Sequence, residues 1–239
     1  MSRRLVSITL DNLADLPGRC RQCVFWELDP VARDRSVEAG DTGFEKESWV
    51  SATLLDWGSC GKIVYVDGVP AGFVMYAPPG YAPRSLAFPT SPVSADAVLL
   101  MTGHVHPDFA GGGLGRVLLQ GVAKDLIRRG VRAIEAFGDE LWESPTCVLP
   151  AETLRSVGFK TVRAHHRFPR LRLELKSAVS WREDVEVALE QLLGSMSPDP
   201  LVGSPLVGGP LGEGPLGQGP LGEGPLGDGA APDPVLRLV

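Results

Sequence analysis

No part of the 239-residue sequence supplies the roughly 20 consecutive apolar residues of a membrane-spanning helix. The opening "MSRRLVSITLDN" is basic, but its apolar stretch is too short for a secretory signal. Positive charge is not in excess either. Lys and Arg number 23 against 29 Asp and Glu, for a formal charge of −6. That balance argues against a general nucleic-acid partner, because neutralising phosphates needs a basic face. Cysteine is scarce. Four in a chain this long do not read as a disulfide framework, so a reduced, cytoplasmic protein without membrane attachment is expected. Aromatic residues are absent from Ser197 onward, where six pentapeptides begin at Pro200, Pro205, Pro210, Pro215, Pro220 and Pro225. Such a segment cannot bury enough apolar surface to offset its ordering entropy, so 197–239 reads as a disordered tail. A period of five excludes collagen, which needs Gly at every third residue. The tail is read either as a linker or as a partner-binding segment.

Ahead of the tail, the pattern alternates strands and helices. "RLVSITLDNL" reads as a first strand, and "LADLPGRCRQCVFWELD" and "DTGFEKESWVSATLLDWG" as two helices. Thr42 and Glu45 have capping-box spacing at the start of the second. "KIVYVDGVPAGFVMYAPP" is a hairpin around Asp67-Gly68, a dipeptide that readily takes positive φ. After a Pro- and Ser-rich loop over 78–95, "AVLLMTGHV" is a strand that ends before Pro107. "LGRVLLQGVAKDLIRRG" is an amphipathic helix closed by Gly130. "VRAIEAFG" is a strand, "LPAETLRSVGF" a short helix, and "KTVRAHHRF" and "RLRLELK" two final strands. "SWREDVEVALEQLLG" is a capped helix in a 177–196 extension. The fold class expected is mixed α/β (α+β): a partly antiparallel central sheet flanked by helices, then a C-terminal helix and the tail.

The densest signal is "HPDFAGGGLGRVLLQ", with Gly111, Gly112, Gly113 and Gly115 just before a helix. Glycines let backbone N–H groups converge on an anion, and a helix N-terminus adds about half a positive charge. A tight turn without ligand is the plain alternative. A P-loop needs Lys and then Ser or Thr after the last Gly, whereas Arg116-Val117 follow Gly115. A dinucleotide fingerprint needs Gly-x-Gly-x-x-Gly after the first strand of a parallel array, which this loop does not follow. The pyrophosphate of coenzyme A suits the surrounding element order best.

At this point residues 4–175 resemble the GNAT acetyltransferase superfamily. "VHPDFAGGGLGRVL" looks like the family's acyl-CoA loop, with Gly113 and Gly115 as its final glycines. "LRSVGF" resembles the later Gly-Phe signature, and "VDGVPAGFVMY" the central hairpin. The Cys20-x-x-Cys23 pair with "FWELDP" suggests an actinobacterial-type bacterial subgroup. The resemblance implies a GNAT acyltransferase domain over 1–176. It implies acetyl-CoA as acyl donor, with the backbone of Gly111, Gly112, Gly113, Leu114, Gly115 and Arg116 holding the pyrophosphate. His104 and Val105 would pair with the pantetheine arm. Two positions depart from the family pattern. Ala110 stands where Gln or Arg is usual, and Leu154 where many members carry a proton-donating Tyr.

Transfer to an amine sets a proton demand. A lysine-like amine has pKa about 10.4, so neutralising it at pH 7 costs roughly 4.6 kcal/mol. His104 and His106 beside the loop titrate in a useful range, and Glu135 on the next strand is a further candidate base. Cys147 precedes the short helix, near where the resemblance places leaving-group protonation. Each of these four also has a purely structural reading. Asp139 and Glu140 can attract a cationic acceptor. No metal is expected: Cys20 and Cys23 share a helix face, but Cys60 and Cys147 lack paired spacing. The function expected is acetyl transfer to an amine on a small molecule or a protein. The rival is a catalytically weak acyl-CoA-binding sensor, which Ala110 and Leu154 favour.

Overall fold

Asp67 and Gly68 both take positive φ, 49° and 86°, so the chain reverses in the two-residue turn expected of them. The flanking strands are β2 (Gly61–Val66) and β3 (Val69–Ala77), both largely buried. The computed structural model describes residues 2–142 and 146–175, all within one compact unit. The expected helix after Ser180, the 177–196 extension and the 197–239 tail lie outside the described residues.

The hairpin sits inside a sheet ordered β1-β2-β3-β4-β5-β8-β7. The other strands are β1 (Arg3–Ser7), β4 (Ala97–Val105), β5 (Ala133–Asp139), β7 (Lys160–Arg163) and β8 (Arg170–Glu174). A two-residue β6 (Leu149–Pro150) pairs with the end of β5. Neighbours along the main order are antiparallel except β4 and β5. That parallel pair joins only Ala97–Leu99 to Ala133–Glu135. Beyond Leu99, β4 continues beside β3, while β5 continues to its pairing with β6. The two central strands therefore part, and their facing edges lose mutual hydrogen bonds.

Alternation along the strands divides the core into two layers. Leu99, Met101, Phe73, Met75 and Phe137 face one side, with Trp26, Phe88 and Val50. There a 3-10 turn (Leu10–Asp15), α1 (Gly18–Arg21) and α3 (Thr42–Asp56) cover the sheet, and α2 (Pro30–Ala39) packs on α3. Val98, Leu100, Val74 and Ile134 face the other side, under α4 (Leu114–Arg128) and α5 (Ala151–Ser156). A buried polar cluster fastens α4. Tyr76 Oη donates to Asp125 Oδ2 at 2.9 Å, and Arg129 reaches Asp125 and the carbonyls of Trp57 and Gly58.

Two expectations near the N-terminus are corrected. The helix expected over "LADLPGRCRQCVFWELD" is broken, because Leu16 precedes Pro17 and is held extended (ψ 148°), leaving one turn at Gly18–Arg21. The next helix is α2, which the apolar spacing did not reveal. The Asp29 carboxylate starts it by accepting from the amides of Val31 and Ala32 at 2.9 and 3.0 Å. The Thr42–Glu45 box does not form either. Asp41 is the cap residue of α3, and its carboxylate takes the Ser36 hydroxyl at 2.6 Å.

Candidate active site

The glycine loop leaves β4 at His106 and makes one 3-10 turn over Pro107–Phe109. It then passes through Gly111 (φ 76°) and Gly113 (φ 70°) before α4 begins at Leu114. Only glycine adopts this conformation without strain. Gly113 is the helix cap, and no side chain caps α4. Among the described residues, the N–H groups of Gly111, Gly112 and Gly113 donate to no backbone or side-chain acceptor. The first N–H groups of α4, from Leu114 to Arg116, have no intrahelical partner by construction. Six consecutive amides are thus left without a backbone acceptor, among the described residues, at the end of α4 where the helix dipole is positive. Arg116 is exposed at this end of α4. Arg3 also reaches the loop: its Nη2 lies 3.9 Å from the point a Cβ on Gly112 would occupy. Sequence reading missed Arg3, because nothing along the chain ties the first strand to the loop.

Behind the loop, α4 and α5 enclose a narrow slot of about 20 Å³, lined by Gly115, Leu118, Leu119 and Leu154. It adjoins a wider groove of about 340 Å³ that begins at Arg116 and Gln120. Leu154 is 1% exposed and belongs to the apolar layer beneath α4. Ala110 is exposed at the start of the loop.

On the opposite face of the sheet three hollows follow one another. The first, about 580 Å³, is lined by Asp15, Phe73, His104, His106 and Asp108. The second, about 150 Å³, shares Phe73 and His104 and adds Arg19, Cys20, Cys23, Thr102 and Cys147. The third, about 250 Å³, shares Thr146 and lies between Arg84, Phe88, Asp139 and Arg167.

His104 stands at the junction of the first two. Its Nδ1 is buried without a hydrogen-bond partner among the described residues. Burial, then the charges of Arg19 and His106, hold its pKa below the ordinary value, so the ring is neutral at pH 7. His106 is half exposed, and its Nδ1 accepts from the Asp108 amide at 3.3 Å. Glu135 lies at the point where β4 and β5 part, fully buried. Its carboxylate pairs with Arg170 and accepts from Arg172 at 3.1 Å and the Ser94 amide at 3.1 Å. Burial alone would raise its pKa, but the Ser94, Arg172 and Arg170 hydrogen bonds outweigh that and lower it. Glu135 lines none of the three hollows. Asp139 accepts from the amides of Leu141 and Trp142, and Glu140 pairs with Arg155.

Cys147 shares the second hollow with His104, and its Sγ lies 3.1 Å from Cys23 Sγ. Either thiol can donate in this contact. That hydrogen bond drives Cys23 below the ordinary thiol pKa and Cys147 above it. Cys60 is buried elsewhere in the core, its thiol pushed up to about 12 by desolvation. Among the described residues, no group of three or more His, Cys, Asp or Glu side chains is placed to hold a metal. Beneath Cys23, the fully buried Lys46 forms an ion pair with Glu27. Sequence reading had no signal for it, since Lys46 sits between Glu45 and Glu47 in a polar stretch of α3.

The model of the Acetyltransferase (GNAT) family matches residues 24–142. Strands β2 to β5, the parting of β4 from β5 and the glycine loop all lie within that match. The fold is the GNAT fold. Similar solved structures include the PaiA N-acetyltransferase from Thermoplasma acidophilum in complex with coenzyme A. It is 11% identical over 73% of this chain and 99% of that one, with a TM-score of 0.49. YncA, a putative acetyltransferase from Salmonella typhimurium with acetyl-CoA, is 18% identical over 74% and 96%, with a TM-score of 0.49. The ribosomal-protein-S18-alanine N-acetyltransferase from Escherichia coli is 17% identical over 74% and 96%, with a TM-score of 0.44. No curated protein matches the sequence. Among the described residues, no helix is long and apolar enough to cross a membrane.

Proposed function

We propose that this GNAT domain is an N-acetyltransferase that takes acetyl-CoA as acyl donor and transfers the acetyl group directly to an amine. The observation that carries this reading is the pairing of two sites across the parted strands. On one side lie six amides without protein acceptors, among the described residues, at an uncapped helix N-terminus. On the other lies a neutral imidazole with a free nitrogen.

The amides of Gly111 to Arg116 hold the pyrophosphate, with Arg3 and Arg116 adding charge. Loss of the usual Gln or Arg at Ala110 leaves that backbone cradle in place. The edge of β4 from Leu100 to Val105, which β5 has left, offers free amides and carbonyls to the pantetheine arm and to the oxyanion of the tetrahedral intermediate. The incoming amine enters through the first two hollows. The His104 imidazole, which lines both hollows, accepts its proton as the new C–N bond forms, and the C–S bond breaks to release the coenzyme A thiol. Glu135 fixes β8 against β5 through Arg170 and Arg172 and leaves the proton to His104. No acyl-enzyme is needed.

The test is release of free thiol from acetyl-CoA by purified protein offered a panel of small amines, peptides and proteins. Amine-dependent release supports the reading. Tight coenzyme A binding without turnover on any amine overturns it in favour of a sensor. A melting temperature raised by NAD or ATP but not by coenzyme A overturns the assignment of the loop.

A further inference from the structure

The hollow that holds His104 also brings together two thiols from distant parts of the chain. Cys23 follows α1, and Cys147 lies between β5 and β6, 124 residues later. Their sulfurs stand 3.1 Å apart. Neither backbone is free to drift. Lys46 Nζ donates to the Cys23 carbonyl at 3.0 Å, and Trp26 Nε1 donates to the Cys147 carbonyl at 3.0 Å. Lys46 and Trp26 are each only 2% exposed, so both anchors belong to the core. The thiols themselves are half-buried and line a hollow of about 150 Å³, wide enough to admit a small oxidant.

The chemistry of the pair is asymmetric. Their contact holds Cys23 below the ordinary thiol pKa and Cys147 above it, so Cys23 carries the thiolate character, and the thiolate is the reactive form. Cys20 lines the same hollow, but burial raises its pKa and no sulfur contact is recorded for it among the described residues.

We propose that Cys23 and Cys147 are a hydroperoxide-reactive pair that closes reversibly to a disulfide across this hollow. The Cys23 thiolate attacks the terminal peroxide oxygen, the O–O bond breaks, and a sulfenic acid forms with release of water from hydrogen peroxide. Cys147 sulfur then attacks Cys23 sulfur. The S–O bond breaks, and the departing hydroxide leaves as water with the Cys147 proton. In sum, two thiols and one hydrogen peroxide give one disulfide and two waters. Bond formation brings the sulfurs to about 2.05 Å, a shift of roughly 1 Å. The bond staples the segment before β6 to the turn after α1, beside His104. Resting on the acetyl-transfer reading, this closure slows turnover, and a dithiol reductant restores it.

The test treats the full chain with a slight excess of hydrogen peroxide and maps the peptides by mass spectrometry. A Cys23–Cys147 crosslink, reversed by dithiothreitol, is expected. In Cys147→Ser, a sulfenic-acid probe should label Cys23. In untreated wild-type protein, iodoacetamide should alkylate Cys23 about tenfold or more faster than Cys20 or Cys60. A crosslink through Cys20, equal labelling of all four cysteines, or no crosslink overturns the pair. Unchanged amine acetylation by crosslinked protein overturns the closure. Peptide mapping needs no acetyl transfer, so it separates failure of the pair from failure of the enzymatic reading.

Discussion

Glu135→Gln separates an anchoring carboxylate from a catalytic base. The substitution keeps shape and removes charge from a fully buried site. Its three donors are then left facing an amide. Arg172 keeps Asp96 at 2.9 Å and Glu174 at 2.5 Å, so it loses little. Arg170 is only 12% exposed and keeps just the Ser94 hydroxyl at 3.2 Å. Removing one partner of a buried pair costs about 3–5 kcal/mol, and the remaining contacts reduce this to about 2–3 kcal/mol. At about 2–4 °C per kcal/mol for a domain of this size, the melting temperature should fall by about 4–12 °C. The pH dependence has a definite sign. Hydrogen bonds hold the Glu135 pKa below its ordinary value of about 4.3, so its contribution is present above that pH and is lost as pH falls below it. Glu135→Gln should therefore flatten part of the acid limb of the stability curve. Thermal unfolding monitored by circular dichroism between acid and neutral pH reads both effects. A variant with wild-type melting temperature and acid limb that nonetheless loses acetyl transfer refutes this reasoning and makes Glu135 the base.

His104→Ala should lower kcat/KM at pH 7 by about 10²–10⁴-fold with little change in acetyl-CoA affinity. Because burial depresses the His104 pKa, wild-type activity should fall only at pH below about 6.5, and the variant should lack that limb. A variant with wild-type turnover excludes His104 as the proton acceptor. Gly113→Ala meets no atom within 4 Å, so its penalty is the positive φ alone, about 1–2 kcal/mol, read as weaker acetyl-CoA binding by calorimetry together with lower thermal stability. Unchanged binding and stability would show that the loop does not take this conformation. Tyr76→Phe removes the donor to buried Asp125 and the partner of the Ser59 hydroxyl, at a cost of about 1–3 kcal/mol in urea unfolding. An unchanged unfolding midpoint contradicts the α4 anchor.

Elements with a strong local cause were legible along the chain. Asp67-Gly68 determined the hairpin, and the glycines before Leu114 marked both the loop and the helix after it. The broken first helix was less legible, because Pro17 competed with an apolar spacing that favoured continuation. Helix α2 exposes Val31 and Val37 and buries little, so its apolar period is weak, and its local signs were the cap at Asp29, Pro30 in the first turn and Gly40 at its end. At the candidate site, His104 was legible from its place between strand and loop. The engagement of Glu135 by Arg170 and Arg172 depends on β8 returning beside β5, which no local pattern encodes. The same holds for Cys23 with Cys147, for buried Lys46 with Glu27, and for Arg3 beside Gly112. These are long-range pairings, and their partners become neighbours only after the sheet has formed.

The central claim is that one ligand spans the parted strands from the glycine loop to His104. A crystal structure determined with acetyl-CoA tests it most directly. The account predicts pyrophosphate oxygens within hydrogen-bond reach of the Gly111–Arg116 amides, the pantetheine arm along β4, and the thioester facing the hollow that His104 lines. Acetyl-CoA bound elsewhere, or a thioester screened from that hollow, would contradict it.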